Sequence, residues 1–192
     1  MMQPDPHPET LPSRLAEDVD AAFADLVRVY QNGIYAGAFQ LTRDRHEAED
    51  VAQETFLRAY RALRGFPPRR RAELRLGGWL WTIALNVCRN RHRSRSRRPG
   101  ETALTGRIDP PDRVGDEPET VIDGSADLEV WRRRLATLPE PQRTAVVLRH
   151  VVGLRYDEIA HATDRPIGTV KADVHRGIRR LERILATEEV TL

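Results

Sequence analysis

Pro166 stands two residues after Asp164 inside Gly153 to Leu185, GLRYDEIAHATDRPIGTVKADVHRGIRRLERIL, and that placement restricts the stretch to two helices around a tight turn. Proline disfavours helical backbone at the residue before it, here Arg165, and an aspartate such as Asp164 tolerates the left-handed geometry that ends a helix. Asp157 and Glu158 open the first helix, where carboxylates suit the positive end of its dipole. Gly168 or Thr169 starts the second. At about 100° per residue from Val170, the residues Val174, Ile178, Leu181 and Leu185 fall within an arc of roughly 80°, which predicts a buried stripe. Opposite it lie Ala172, Arg176, Arg179 and Arg183, with His175 beside them and Lys171 on a flank. Two readings fit: a helix-turn-helix that lays its second helix in the DNA major groove, and a helical hairpin with a solvated basic face.

Charge distribution bears on that choice. The net charge of +2 conceals segregation, because Arg69 to Arg98 holds ten arginines against one carboxylate, Glu73, whereas Pro99 to Asp127 holds eight carboxylates against Arg107 and Arg113. A basic block beside an acidic one points to a polyanion-binding surface. The single cysteine, Cys88, excludes an intramolecular disulfide and any multi-cysteine zinc site. No apolar run is long enough to cross a membrane, and the start, MMQPDPHPETLPSR, lacks the apolar core of a signal peptide, so a soluble cytoplasmic protein with no cofactor is expected.

In chain order, residues 1–13 hold four prolines and read as a disordered lead-in. From Leu15 to Leu41, the positions Phe23, Leu26, Val27, Tyr30, Ile34, Ala38, Phe39 and Leu41 recur at steps of three and four, predicting one long helix with a break open near Asn32-Gly33. Thr42-Arg43-Asp44 forms a turn, and the next helix runs from His46 to Leu63. It buries Val51, Ala52, Thr55, Phe56, Ala59 and Leu63 and turns Asp50, Gln53, Glu54 and Arg61 outward. Leu57 lies among those charges, either as a contact for a protein partner or as one of the isolated exposed leucines common on any surface. Gly65-Phe66-Pro67-Pro68 ends the helix, and Arg69 to Leu76 reads as a cationic loop.

A third helix from Gly78 packs Trp79, Leu80, Ile83, Ala84, Val87 and Cys88, and leaves Trp81, Asn86, Arg89, Asn90 and Arg93 for a polar surface. Aromatics beside arginines suit stacking on a single strand, although tryptophan in a small helical domain more often fills the core, and Trp79 is assigned there. Periodicity then vanishes. Residues 97–126 read as a flexible acidic linker that either repels DNA, occupies a positive channel on a partner, or serves as a solubilising spacer. Leu128, Trp131, Leu135 and Leu138 mark the next packing face, Pro139-Glu140-Pro141 starts another helix, and Ala145, Val146, Leu148 and Val152 continue the core. The expected fold is all-α: a domain over 14–96 and a second over 127–188, each with a cationic surface.

Four segments in this order, AEDVAQETFLRAYRAL at 48–63, GGWLWTIALNVCRNRHR at 77–93, LPEPQRTAVVLRHVVGLRYDEIA at 138–160 and GTVKADVHRG at 168–177, resemble successive signatures of bacterial RNA polymerase sigma factors. The resemblance is to the extracytoplasmic-function (ECF) subfamily, which keeps only the second and fourth conserved domains. It implies a non-enzymatic polymerase subunit that selects promoters. Glu49, Asp50, Gln53, Glu54 and Leu57 would meet the clamp helices of the largest polymerase subunit, and the second domain would meet the flap. Trp79, Trp81, Asn86, Arg89, Asn90 and Arg93 would melt the minus-ten element and capture an extruded base. Thr169, Lys171, Ala172, His175, Arg176 and Arg179 would read the minus-thirty-five element as duplex, with Arg176 either bidentate to guanine or clamping a phosphate. An anti-sigma protein is a further implied partner.

Some positions depart from the family pattern. Ala172 and Asp173 replace a usual serine and basic residue, and Asp173 either orients Arg176 at i+3 or accepts a hydrogen bond from cytosine. Arg155 replaces a capping serine or threonine, Asn90 a frequent aspartate and His92 an apolar residue. The rival reading is a one-component regulator that binds a palindrome without polymerase. A metal-dependent hydrolase built on His46, Glu47, Glu49 and Asp50 is disfavoured because the wheel scatters those side chains.

Overall fold

The computed structural model of the protein describes residues 8–96 and 125–189, and the described residues form helices and connecting turns with no strand. Helix α1 spans Leu11–Glu17 and α2 Val19–Thr42. They are separated at Asp18, whose backbone is extended and whose Oδ1 accepts hydrogen bonds from the amides of Asp20 (2.8 Å) and Ala21 (3.1 Å), an N-cap that restarts the helix. Two expectations are corrected here. Leu11 and Leu15 are both fully buried, so order begins inside the supposed lead-in, and the one helix expected from Leu15 to Leu41 is split at Asp18; the break left open near Asn32-Gly33 does not occur. Residues 1–7 lie outside the described residues. Buried Asp25 pins α1 to α2 by pairing with Arg14 (2.5 Å) and Arg28 (2.6 Å).

Arg43, at φ 62°, ends α2, and Asp44 caps α3 (Arg45–Gly65) by accepting from the amide of Glu47 at 2.9 Å. The expected cationic loop contains a short helix, α4 (Pro68–Ala72), with proline at its start where no amide is needed. Helix α5 spans Leu76–Ser96, and residues 97–124, nearly all of the expected linker, lie outside the described residues. Helix α6 spans Ser125–Ala136 and α7 Glu140–Val146. The chain then widens into a π-turn over Val147–Val151, where the Val152 amide donates to Val147 O at 3.1 Å, and bends at Gly153, φ 83°. Helices α8 (Tyr156–Thr163) and α9 (Ile167–Glu189) complete the described chain.

Helices α2, α3 and α5 pack on one another, α1 lies against α2 and α4, and α7 lies against α9. The main core, with Leu26, Ile34, Val51, Leu63, Leu80 and Trp81, continues without interruption into Leu148, Leu154, Ile159 and Val170 from the other side of the linker. Helix α8 lies along α5. A smaller core of Leu135, Leu138, Val146, Val147 and Leu181 takes in Leu41 from the first half of the chain. At the seam a Cβ on Gly37 would stand 2.5 Å from Trp81 Cζ2 and 2.8 Å from Val152 Cγ2, so only glycine lets these three elements meet.

Candidate nucleic-acid and polymerase surfaces

The α8–turn–α9 unit follows the wheel. Val170, Val174 and Leu181 are buried, Ile178 and Leu185 half-buried, while Lys171, His175, Arg176, Arg179 and Arg183 are exposed and Thr169 and Ala172 half-buried. Asp164 takes the left-handed conformation (φ 53°, ψ 49°), and the next amide, Arg165, donates back to Ala160 O at 3.0 Å. At the start of α8, Glu158 Oε2 accepts from the Arg155 amide at 2.9 Å, but a guanidinium has no acceptor with which to return a cap, so half of a capping box forms. Tyr156 underlies Lys171, 5.7 Å from its ring centroid, and Arg149, 4.9 Å. His175, Arg176, Arg179 and Arg183 line a shallow cationic groove of about 560 Å³ along α9.

Asp173 is only 3 % exposed; its Oδ1 accepts a hydrogen bond from Arg176 Nη2 at 2.7 Å, and its Oδ2 forms an ion pair with Arg165 Nη2 at 2.5 Å. Burial works to raise its pKa, but the contacts with Arg176 and then Arg165 outweigh burial and hold the carboxyl below the usual aspartate range. It is charged at neutral pH.

On α5 the outcome is divided. Trp79 is half-buried, its ring 6.0 Å from that of Phe66, whereas Trp81, expected on the polar surface, is 2 % exposed at the seam with Val152 and Gly37. A wheel drawn for α5 alone leaves that face to solvent; the second half of the chain covers it. Asn86, Arg89, Asn90 and Arg93 remain exposed on the C-terminal part of the helix, and Arg89 Nη1 lies 3.4 Å from Asn86 Oδ1. Arg75, in the connection before α5, pairs with Asp157 of α8. The sequence shows Asp157 opening a helix and Arg75 in a cationic loop but not their pairing, since no local pattern reports a contact made across a linker.

On α3, Glu49, Asp50 and Gln53 are exposed and Glu54 is half-buried, its Oε1 accepting from Arg58 Nε at 2.6 Å. Leu57 stands among them at 51 % exposure. Asp50 pairs with Arg91 of α5, so this acidic face and the end of the cationic helix are physically joined.

Cys88 packs inside α5, where burial, with Glu47 nearby, pushes its thiol up to about 11. Only the thiolate reacts, so at pH 8 alkylation of Cys88 is expected to run at least about 100-fold slower than that of a free thiol until the protein unfolds. An iodoacetamide time course followed by mass would show it; reaction at the rate of an exposed thiol would mean that α5 opens locally.

Comparison with known proteins bears on the identity of these surfaces. The sequence model of Sigma-70 region 2 matches residues 26–98, and that of Sigma-70 region 4 matches residues 128–181. The chain is 32 % identical over 192 residues to the RNA polymerase sigma-H factor of Pseudomonas aeruginosa, covering 92 % of this chain and 93 % of that protein. It is 32 % identical over 172 residues to the ECF RNA polymerase sigma factor SigW of Bacillus subtilis, covering 85 % and 89 %. Among solved structures it resembles the sigma factor RpoE of Bartonella quintana in complex with the anti-sigma factor NepR, with TM-score 0.66, 25 % identity, and coverage of 85 % of this chain and 96 % of that one. Among the described residues no helix is long and apolar enough to cross a membrane.

Proposed function

The chain belongs to the extracytoplasmic-function sigma factors of bacterial RNA polymerase, and from that premise we propose how its surfaces divide the work of promoter-specific initiation. The observation that carries the reading is the order of the two matches along one chain, region 2 at 26–98 and region 4 at 128–181, each containing an exposed cationic helix. The chain binds core RNA polymerase and directs it to promoter DNA. Glu49, Asp50, Gln53, Glu54 and Leu57 on α3 form the contact with the clamp helices of the largest subunit, and Leu57 supplies the apolar anchor among charges. Asn86, Arg89, Asn90 and Arg93, with Trp79, engage the minus-ten element; Trp81, buried at the seam between the two halves, joins them only where the halves separate. Thr169, Lys171, Ala172, His175, Arg176 and Arg179 on α9 read the minus-thirty-five element. The protein contributes no bond-making group: RNA synthesis stays with the polymerase, in the cytoplasm. The second module docks on the flap. The Bartonella relative is held by an anti-sigma factor, and a protein of that kind is a third partner of this chain. A regulator acting without polymerase is not favoured by relatives that match both regions over most of the chain.

Transcription by core polymerase plus this protein on fragmented genomic DNA, with RNA starts mapped, tests the reading, and silence on every template would end it. Two variants then separate the surfaces. Arg176→Ala is expected to erase upstream-element discrimination, a loss of roughly 5- to 150-fold for one bidentate contact, while core binding stays intact. Asp50→Ala with Leu57→Ala is expected to weaken core binding tenfold or more at little cost to folding, because the Asp50–Arg91 pair is exposed and worth about 0 to 1 kcal/mol.

A further inference from the structure

Asp173 lies on the helix assigned to the upstream duplex, yet its side chain is 4 % exposed and closed in by two guanidinium groups, from Arg165 in the turn and Arg176 one helical turn ahead. A base edge has no path to that carboxylate, so direct reading of cytosine is excluded by burial. The Arg176 side chain is 58 % exposed and spends one Nη2 hydrogen on Asp173 Oδ1 at 2.7 Å, so four of its five N–H donors remain for other acceptors. An unrestrained arginine samples many rotamers and serves phosphates and bases alike; a guanidinium held in one plane presents its fork in one direction.

We propose that Asp173 is a positioning residue that makes Arg176 a base-specific contact, with Arg165 anchoring the carboxylate to the turn. This rests on the reading of α9 as the upstream-element helix. The arrangement has a second consequence of sign. The trio Arg165, Asp173 and Arg176 carries one net positive charge instead of two, so the carboxylate opposes sequence-independent attraction to phosphates while it sharpens the one contact. A side chain with a merely structural role would lower specific and non-specific binding together, whereas Asp173 holds them apart.

The test uses full-length protein with core polymerase and promoters randomised in the upstream element, with transcript counts per sequence as the readout and the salt dependence of holoenzyme binding to non-promoter duplex as the second. Asp173→Asn keeps the shape and removes the charge. It is expected to flatten base preference at one position by roughly tenfold, to leave the other positions unchanged, and to raise affinity for non-promoter duplex. In an Arg176→Ala background, Asp173→Asn should change the preference no further, since the contact it acts through is gone. Equal loss at every position, additive losses in the double variant, or a preference that moves from cytosine to another base would overturn the proposal. Should Asp173→Asn melt early, Arg176→Lys carries the test: it keeps charge and helix but lacks the fork, and retained preference at that position would equally overturn it. Wild-type holoenzyme that initiates nowhere refutes the sigma reading itself, and the proposal with it; wild type that initiates normally while the variants keep its preferences refutes the assignment of Asp173 alone.

Discussion

Trp81→Ala is expected to lower the unfolding free energy by about 3 to 5 kcal/mol, the cost of emptying a large aromatic site in a close-packed interior. The indole is 2 % exposed and wedged where α2, α5 and the segment after the π-turn converge. Its ring edge fills the place a Cβ would take on Gly37, and Val152 closes the other side. Gly37→Ala approaches the same packing from the opposite wall: its methyl group would need the indole or Val152 to retreat, and a further 1 to 3 kcal/mol of destabilisation is expected. Trp79→Ala should behave differently, because that ring is half-buried against Phe66 and available to DNA. Its loss should fall on promoter opening more than on the urea midpoint. Equilibrium unfolding of the three variants, read by far-ultraviolet circular dichroism, separates the cases. Trp81→Ala protein that unfolds with the wild type while losing promoter opening would return Trp81 to the nucleic-acid surface.

The contrast between the two tryptophans marks how far the sequence could be read. Much of what periodicity within one helix governs was legible: the packing stripe of α9 from Val170 to Leu185, the exposed arginines opposite it, and Leu57 stranded on the acidic face of α3; so was the left-handed Asp164 before Arg165-Pro166. Local polar chemistry was legible in principle but passed over. Asp18 is an N-cap whose signal lay in an aspartate standing before an apolar run, and Pro68 announced α4 as a first-turn proline. What could not be read was contact between halves of the chain separated by a linker without pattern. Trp81 is buried by such a contact, and Arg75–Asp157 and the abutment of Gly78 on Glu158 are of the same kind. Trp131 fails in the other direction: the wheel set it on a packing face, but it is 43 % exposed with Arg134 5.3 Å from its ring centroid, since α6 is only lightly covered.

A disulfide joining α5 to α8 is expected to abolish start-site-specific transcription, by at least about 100-fold, and reduction to restore it. The constraint comes from the duplex. At about 3.4 Å per base pair, minus-ten and minus-thirty-five elements lie roughly 85 Å apart, about 25 pairs of duplex. In the structure α8 lies directly on α5, and α9 follows α8 after a three-residue turn. No placement of that arrangement lets α5 meet one element while α9 meets the other, so the halves part for the proposed function to operate. The chain between Ser96 and Ser125 is long enough to allow it, at about 3.3 to 3.6 Å per extended residue. Gly78 is the place to fasten them: a Cβ there would stand 3.0 Å from Glu158 Cβ, slightly inside the roughly 3.5 to 4.5 Å that a disulfide needs, and a small outward movement suffices. Gly78→Cys with Glu158→Cys, made with Cys88→Ser to leave no competing thiol, gives oxidised protein that retains the α3 surface and so still binds core polymerase. A population held closed cannot shift toward the DNA-spanning form however tightly that form binds. Oxidised protein that supports full promoter-specific transcription would show that the contact between α5 and α8 survives initiation, and the assignment of α5 and α9 to two separate elements would fall with it.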